Sequence, residues 1–319
     1  MNRRSFANML GGSLLTAGVG SQALASTTKS KSLYALAEAP YKMLYAPHFG
    51  MFKNHAGNDE IDQLKFMYDM GFRSLEDNGL MGRTPELQNK IGETMAKLGM
   101  TMGVFVLSHE GFPDRMTMTT GTKEWKEAFK KACKSAIETS KRVNAKWCTV
   151  VPGNYYRKLP IGIQTGHVID SLKIGAELLE PQGLVMVLEP LSDTPDLFLR
   201  FSDQTYEICR AVGSPSCKIL FDMYHMQKNE GNMITNIDLT WDEIAYIQIG
   251  ANPGRKETTT GEINYANIFK HLDKKGYKGV LGMEHGNFYP GKEGERLATS
   301  KRTNHRKFTG CGLWNRSFS

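Results

Sequence analysis

The chain has 319 residues, of which 40% are hydrophobic and 23% are charged. This composition is typical of a globular protein and excludes coiled-coil, collagen-like and disordered chains. Outside the N-terminal segment no charge-free apolar run reaches about 18 residues, which excludes a multi-span membrane protein.

The net charge of +7 is confined to the two ends of the chain. Residues 1–25 carry two arginines and no acid, and residues 301–319 carry five basic residues and no acid. The body over 26–300 is therefore neutral overall. A neutral body argues against a nucleic-acid-binding protein, because phosphate backbones are bound by an excess of positive charge.

The N-terminal segment predicts an export signal. Arg3 and Arg4 precede an apolar stretch over 9–20, and a small-residue cleavage motif follows. The paired arginines resemble a twin-arginine signal, and the four glycines of the apolar stretch disfavour a stable helix. We therefore expect residues 1–25 to be a signal peptide and 26–40 a spacer. The mature protein is expected in the periplasm, without membrane attachment after signal cleavage.

The body of the chain alternates short apolar runs with longer amphipathic stretches, which predicts strands followed by crossover helices. Eight strands are expected over 41–49, 72–78, 100–108, 145–151, 184–190, 217–223, 245–250 and 278–284. Helices are expected between them over 59–70, 84–98, 122–143, 164–180, 202–212, 231–243 and 264–275. Glycines stand just before five of these strands, where a left-handed residue would end a helix: Gly71, Gly99, Gly183, Gly213 and Gly276.

Repetition of a strand and a crossover helix predicts a parallel sheet. Eight repeats without a glycine-rich phosphate motif after the first strand favour an α/β fold of the single (β/α)8 TIM-barrel type over a doubly wound sheet. We expect this barrel domain to span 41–298. After Leu297 the helical apolar period stops, so the last helix is expected to be atypical or incomplete. Residues 299–319 are expected to form a basic, irregular tail.

Polar side chains end four consecutive predicted strands, where apolar residues would otherwise continue. These side chains are Glu189, Asp222, Gln248 and Glu284. The carboxyl ends of barrel strands meet at one mouth, and three carboxylates there would repel each other without a cation between them. The oxygen-rich set predicts a divalent metal site that suits Mn²⁺ or Mg²⁺ better than Zn²⁺.

Other polar residues near the strand ends are candidates for substrate contact. His225 follows the sixth strand, and Arg255 lies in a long polar loop after the seventh, where it could bind a substrate carboxylate or pair with an acid of its own loop. Glu76 and His109 end the second and third predicted strands, and His48 ends the first. For these three, a structural role and a role in the site both stay open.

Three segments of the chain resemble a known family. They are Leu188–Ser192, Ile219–Asn232, and Ala245–Arg255 together with Gly261–Tyr265. All are similar to hydroxypyruvate isomerase-like proteins of the xylose-isomerase-type TIM barrel (sugar phosphate isomerase/epimerase) superfamily. The resemblance is tight over about 184–290 and looser over 41–183. Gln248 matches the glutamine that this subfamily is expected to have at this position, where ketose 3-epimerases commonly have histidine.

The resemblance implies a function for these residues. Glu189, Asp222, Gln248 and Glu284 would hold the divalent metal, with Glu189 and Glu284 also acting as the catalytic acid and base. His225 and Arg255 would contact the substrate. The implied activity is a metal-dependent isomerisation of a small hydroxy-ketone and hydroxy-aldehyde, of the hydroxypyruvate and tartronate semialdehyde type, through an enediolate.

Two alternatives remain open at the level of the sequence. An exported ketose 3-epimerase, or a keto-sugar lyase or hydratase, would share the metal site and differ in where the proton goes. A non-catalytic sugar-binding barrel would hold the ligands without turnover. The expected partner in each case is a small hydroxy-carbonyl compound or sugar rather than nucleic acid, and a homo-oligomer is compatible with all of them.

Overall fold

The computed structural model describes residues 41–108 and 117–298. The predicted signal peptide (1–25), the spacer (26–40), His109 and the basic tail (299–319) lie outside the described residues. The strands are β1 Leu44–Ala46, β2 Ser74–Leu75, β3 Thr101–Met102, β4 Val104–Val106, β5 Trp147–Val150, β6 Val185–Leu188, β7 Cys217–Asp222, β8 Ile244–Gln248 and β9 Val280–Gly282. The α-helices are α1 Lys53–Ala56, α2 Glu60–Asp69, α3 Pro85–Leu98, α4 Lys123–Val143, α5 Ile161–Leu179, α6 Ser202–Val212, α7 Met223–Asn229, α8 Met233–Thr240, α9 Tyr265–Lys274 and α10 Gly291–Ala298.

All strand pairings in the described residues are parallel and follow the order of a barrel. Seven strands form one sheet in the order β1-β9-β8-β7-β6-β5-β4, and β2 pairs with β3. A parallel bridge between His48 and Glu76 joins the ends of β1 and β2. The Asp77 amide donates to the Val104 carbonyl oxygen at 3.1 Å and so joins the β2 end to β4. The predicted eight-position TIM barrel is thereby confirmed.

The third predicted strand is divided into β3 and β4 at Gly103. The Gly103 amide donates to the Leu75 carbonyl oxygen at 2.6 Å, and a Cβ at this position would overlap the hydroxyl of Tyr246. A side chain of β8, from the other side of the barrel, therefore occupies the space that a side chain at position 103 would need.

The apolar residues form two layers. A small cluster fills the barrel interior with one residue from each of six strands: Ala46, Val104, Val187, Leu220, Tyr246 and Val280. A larger cluster lies between the sheet and the helices, and includes the buried cysteines of α4, β5, α6 and β7. Side chains of a barrel strand alternate between these two layers. The polar residues at the strand ends stand above the interior layer.

Helix ends agree with the glycine pattern, and three α-helices, α1, α7 and α10, come in addition to the seven predicted ones. The five predicted glycines all have positive φ, between 64° and 96°. The helix predicted over 231–243 corresponds to α8 and the 3-10 turn Trp241–Glu243 that follows it. Gly231 and Asn232, both left-handed, separate α8 from the additional helix α7. A last helix is present as α10, and the buried Glu295 accepts from the amides of Asn54 and His55 in α1. No helix among the described residues combines the length and hydropathy needed to span a membrane.

Candidate active site and metal centre

The four predicted ligand residues lie together at the carboxyl ends of four adjacent strands, β6 to β9. Asp222 ends β7 and is in register with Gln248, which ends β8 and is in register with Gly282 of β9. Glu189 directly follows β6, and Glu284 stands two residues after β9. The first three side chains are buried, whereas that of Glu284 is 26% exposed.

Arg255 joins the carboxylates of two different strands. Its Nη2 lies 2.7 Å from Asp222 Oδ2 and 2.9 Å from Glu284 Oε2. Its Nε donates to the main-chain oxygen of Glu284 at 3.0 Å. Arg255 is therefore held by the site and not by the acids of its own loop, and its positive φ of 46° is maintained by these contacts.

His225 lies between the carboxylates and the loop after β6. Its Nε2 is 2.9 Å from Arg255 Nη1, and its Nδ1 is 2.7 Å from Ser192 Oγ. The Arg255 guanidinium and the Ser192 amide, which donates to Nδ1 at 3.1 Å, can only donate, so a donor faces each ring nitrogen. The Ser192 hydroxyl can donate or accept. Arg255 and Ser192 together hold the ring from both sides.

A second set of possible ligand atoms overlaps the predicted one. Glu189, Asp222 and His225 each offer one atom that lies within 4.8 Å of the others, and all three residues are buried. His225 Nε2 is 3.8 Å from Glu189 Oε1 and 3.7 Å from Asp222 Oδ2. These three residues could hold a metal ion together, and Glu284 reaches the same group through Arg255.

The pKa values of the Glu189 and Glu284 carboxyls are raised, toward their protonated forms, when no cation other than Arg255 is near. Burial raises the pKa of Glu189 well above its usual range, and the charges of Glu284 and Asp222 add to this. Burial also raises the pKa of Glu284 to about 7, although Arg255 opposes the shift. The pKa of His225 is lowered by burial, so its ring is neutral near pH 7.

Several buried oxygens of the site have no hydrogen-bond donor. They are Glu76 Oε1, Glu189 Oε1 and Gln248 Oε1, whereas Glu284 Oε2 is ion-paired with Arg255. Buried polar atoms are nearly always paired, so three acceptors without donors in one cluster require an explanation. A hard divalent cation supplies positive charge to carboxylate and amide oxygens and so fits this donor set. The residues present therefore suit a metal of the Mg²⁺ or Mn²⁺ type.

A cavity of about 310 Å³ opens beside the carboxylates. It is lined by His48, Phe49, Glu76, Asp77, Asn78, Gly79, Arg83 and Glu284. The cavity is large enough for a three- to six-carbon substrate, and Glu284 separates it from the Arg255 contacts. Of the predicted substrate-contact residues, Glu76 lines this cavity, while His225 and Arg255 lie among the carboxylates.

Three residues of the site were not predicted from the sequence. Asn78 Nδ2 donates to Glu284 Oε1 at 3.0 Å, Ser192 contacts His225, and the Tyr246 hydroxyl donates to Glu76 Oε2 at 3.1 Å. A signal existed for Tyr246, because it precedes Gln248 by two residues and strand side chains two apart share a face. No sequence pattern marks Asn78 as a partner of Glu284.

The chain is similar in sequence to curated isomerases. It is 31% identical over 166 residues to hydroxypyruvate isomerase of Escherichia coli K12, a match covering 50% of this chain and 62% of that protein. It is 34% identical over 119 residues to 2-oxo-tetronate isomerase of Cupriavidus necator, covering 37% and 46% respectively. The matches thus span less than two thirds of the length of these relatives.

The fold and the family are shown by two further comparisons. The structure of AP endonuclease, family 2, from Brucella melitensis superposes with a TM-score of 0.70 at 18% identity, over 80% of this chain and 97% of that one. At this identity the likeness concerns the fold alone. The sequence profile described as xylose isomerase-like TIM barrel matches residues 64–302, about three quarters of the chain. The chain therefore belongs to the xylose isomerase-like TIM barrel family.

Proposed function

We propose that the protein is a divalent-metal-dependent isomerase of small 2-oxo hydroxy acids, of the hydroxypyruvate and tartronate semialdehyde type. The observation that carries the proposal is the convergence of Glu189, Asp222, Gln248 and Glu284 from four adjacent strand ends beside a cavity, with buried acceptor oxygens that lack donors among them. The substrate class is supported by the names of the two curated relatives, which both refer to isomerases of 2-oxo acids.

Glu189, Asp222, Gln248 and Glu284 would hold the cation, with His225 Nε2 near the same position. When bound, a divalent cation draws electron density from adjacent carbonyl and hydroxyl oxygens and stabilises the negative charge of an enediolate. Mn²⁺ and Mg²⁺ are the two ions that this oxygen-rich donor set favours.

Glu189 and Glu284 are proposed as the acid and base. One carboxylate removes a proton from the hydroxymethyl carbon, which leaves an enediolate, and the other returns a proton to the neighbouring carbon. The hydroxyl proton passes from the oxygen of the first carbon to that of the second, so the hydroxymethyl carbon becomes an aldehyde and the former carbonyl a hydroxyl. Without a cation, burial raises the pKa of both Glu189 and Glu284, and a bound divalent cation would lower both again. Arg255 supplies the positive charge that a substrate carboxylate requires.

The proposal is tested with purified protein that has been treated with chelator and then given Mn²⁺ or Mg²⁺. Hydroxypyruvate should be converted to tartronate semialdehyde only after the metal is added, and product is separated by chromatography. Free ketoses serve as the comparison substrates. Inversion of a ketose at its third carbon would replace the proposal with the epimerase alternative. Tight sugar binding without any product would replace it with the non-catalytic barrel.

We also propose that the chain is exported by the twin-arginine route, which the segment around Arg3 and Arg4 supports. In a bacterial host with this pathway, the protein should be recovered from the periplasm without residues 1–25. Replacing both Arg3→Lys and Arg4→Lys should hold it in the cytoplasm. Full-length protein in the cytoplasm of cells that express the unaltered chain would contradict this proposal.

A further inference from the structure

Gln248 can act as a metal ligand only in one orientation of its side-chain amide. The amide has an oxygen on one side and an NH₂ group on the other, and only the oxygen can bind a cation. In the structure Nε2 lies 3.3 Å from Glu76 Oε2, whereas Oε1 is buried without a hydrogen-bond donor. The contact with Glu76 is therefore the one that distinguishes the two orientations.

Glu76 is held in place by two side chains of β8 and by the main chain just after β1. It follows β2, its side chain is 1% exposed, and its main-chain amide donates to the Pro47 carbonyl oxygen. Its Oε2 accepts from the Tyr246 hydroxyl at 3.1 Å as well as from Gln248. Since Tyr246 and Gln248 point to the same face of β8, one carboxyl oxygen receives both hydrogen bonds from that strand.

Two glycines leave the space that this arrangement needs. A Cβ at Gly282 would overlap Glu76 Oε2 and lie 2.8 Å from Gln248 Cγ, and a Cβ at Gly103 would overlap the Tyr246 hydroxyl. Neither glycine has a positive φ, so the backbone conformation does not require glycine at either position. The absence of a side chain there serves the packing of Glu76 and Tyr246.

We propose that Glu76 is a positioning residue, which fixes the Gln248 amide so that its oxygen is presented to the metal site. The inference rests on the proposed function, because it takes Gln248 as a ligand. Glu76 itself lies outside the group of Glu189, Asp222 and His225 that could hold an ion. It acts through Gln248, as hydrogen-bond partners of metal ligands commonly do.

The test measures Mn²⁺ binding directly, from the EPR signal of free Mn²⁺, with purified full-length variants. Gln248→Ala and Glu76→Ala should each weaken Mn²⁺ binding by about 10- to 100-fold, the range typical for partners of metal ligands. The double variant should bind no more weakly than Gln248→Ala alone, because Glu76 acts through that residue. Glu76→Gln should restore binding to within about threefold of the wild type, because its amide oxygen can still accept both hydrogen bonds.

A matched control and a milder variant cover the case in which Glu76→Ala does not fold. Glu177→Ala removes an exposed carboxylate of α5 and should leave Mn²⁺ binding unchanged. Tyr246→Phe removes one of the two donors to Glu76 and should weaken binding by a few fold. If circular dichroism shows that Glu76→Ala is unfolded, Glu76→Gln and Tyr246→Phe are compared instead. Weaker Mn²⁺ binding by Tyr246→Phe than by Glu76→Gln would support the positioning role, and equal binding by the two variants would overturn it.

The outcomes separate the inference from the proposed function. Normal binding by Glu76→Ala, alongside weakened binding by Gln248→Ala, would overturn the positioning role alone. The positioning role would also be overturned if the loss of Mn²⁺ affinity in the double variant equalled the product of the two single losses. A Glu76→Gln variant that binds Mn²⁺ as weakly as Glu76→Ala would overturn it too. Wild-type protein that binds no Mn²⁺, or a Gln248→Ala variant that binds normally, would overturn the proposed ligand set and the inference with it.

Discussion

Replacing Glu284 with glutamine should stabilise the metal-free protein at neutral and alkaline pH. The pKa of Glu284 is raised from 4.5 to about 7, chiefly by burial, with Arg255 acting in the opposite direction. A carboxyl whose pKa is higher in the folded state lowers the free energy of unfolding once it must ionise. Glutamine matches the shape of the protonated carboxyl and keeps an acceptor oxygen for Asn78.

The size of the effect follows from the two pKa values. A rise from 4.5 to about 7 corresponds to about 3 kcal/mol, at about 1.4 kcal/mol per pKa unit. Below pH 4.5 the carboxyl is protonated in both states, so the wild type and Glu284→Gln should differ little. Between pH 4.5 and 7 the wild type loses stability relative to the variant. Above pH 7 the variant should be more stable by the full amount.

The assay is urea unfolding of chelator-treated protein between pH 5 and pH 8. The variant's advantage should grow with pH, while Glu177→Gln, which changes an exposed carboxylate of α5, should follow the wild type at every pH. His225 and His285, whose pKa values are lowered chiefly by burial, contribute equally to wild type and variant. The pKa of Glu189, which the charge of Glu284 helps to raise, falls in the variant and adds to its advantage at high pH. The reasoning is refuted if Glu284→Gln is less stable than wild type at pH 8, or if the difference does not depend on pH.

Addition of Mn²⁺ should reverse this order of stability. A ligand at 1,000 times its Kd stabilises the folded state by about 4.1 kcal/mol, which exceeds the variant's advantage of about 3 kcal/mol. The wild type offers the cation one more carboxylate than Glu284→Gln does. The same unfolding series with Mn²⁺ checks this expectation. Equal stabilisation of both proteins by Mn²⁺ would show that Glu284 is not a ligand.

Three further outcomes are expected. Glu189→Gln should lower kcat by about 10²- to 10⁴-fold at saturating Mn²⁺, the usual contribution of a general acid or base. The control variant Glu177→Gln should leave kcat unchanged. A near-normal kcat of Glu189→Gln would show that Glu189 does not transfer the proton. Arg255→Ala should raise KM for 2-oxo acids more than for neutral ketoses, because a substrate carboxylate loses its cationic partner; equal changes for both classes would contradict that role. The Kd of the wild type for Mn²⁺, measured by EPR, should increase as pH falls from 8 to 5.5, because the Glu189 and Glu284 carboxyls must lose protons before they bind a cation. A pH-independent Kd would show that their pKa values are not raised.

The fold and the four strand-end residues could be predicted from the sequence because both depend on local patterns. Alternation of apolar runs with amphipathic stretches predicts parallel strands and helices. In such a sheet the carboxyl ends meet at one edge, so Glu189, Asp222, Gln248 and Glu284 follow from their positions alone. The in-register pairing of Asp222 with Gln248 bears out that geometry.

The remaining features depend on contacts between residues far apart in the chain. Arg255 could pair with acids of its own loop, and only the folded loop shows that it reaches Asp222 and Glu284 instead. The space that a side chain at Gly103 would need is taken by Tyr246, 143 positions later in the chain. Hydrogen bonds such as that of Asn78 with Glu284 leave no periodic trace in the sequence, so no pattern could have indicated them.

The central claim is that the carboxylates of this site move a proton next to a carbonyl group in a metal-dependent way. NMR in D₂O, with metal-loaded protein and hydroxypyruvate, tests it most directly. We expect deuterium to appear on the carbon beside the carbonyl together with tartronate semialdehyde, and to be absent after chelation and in Glu189→Gln. Failure of metal-loaded protein to exchange that proton, while it binds Mn²⁺ normally, would contradict the claim.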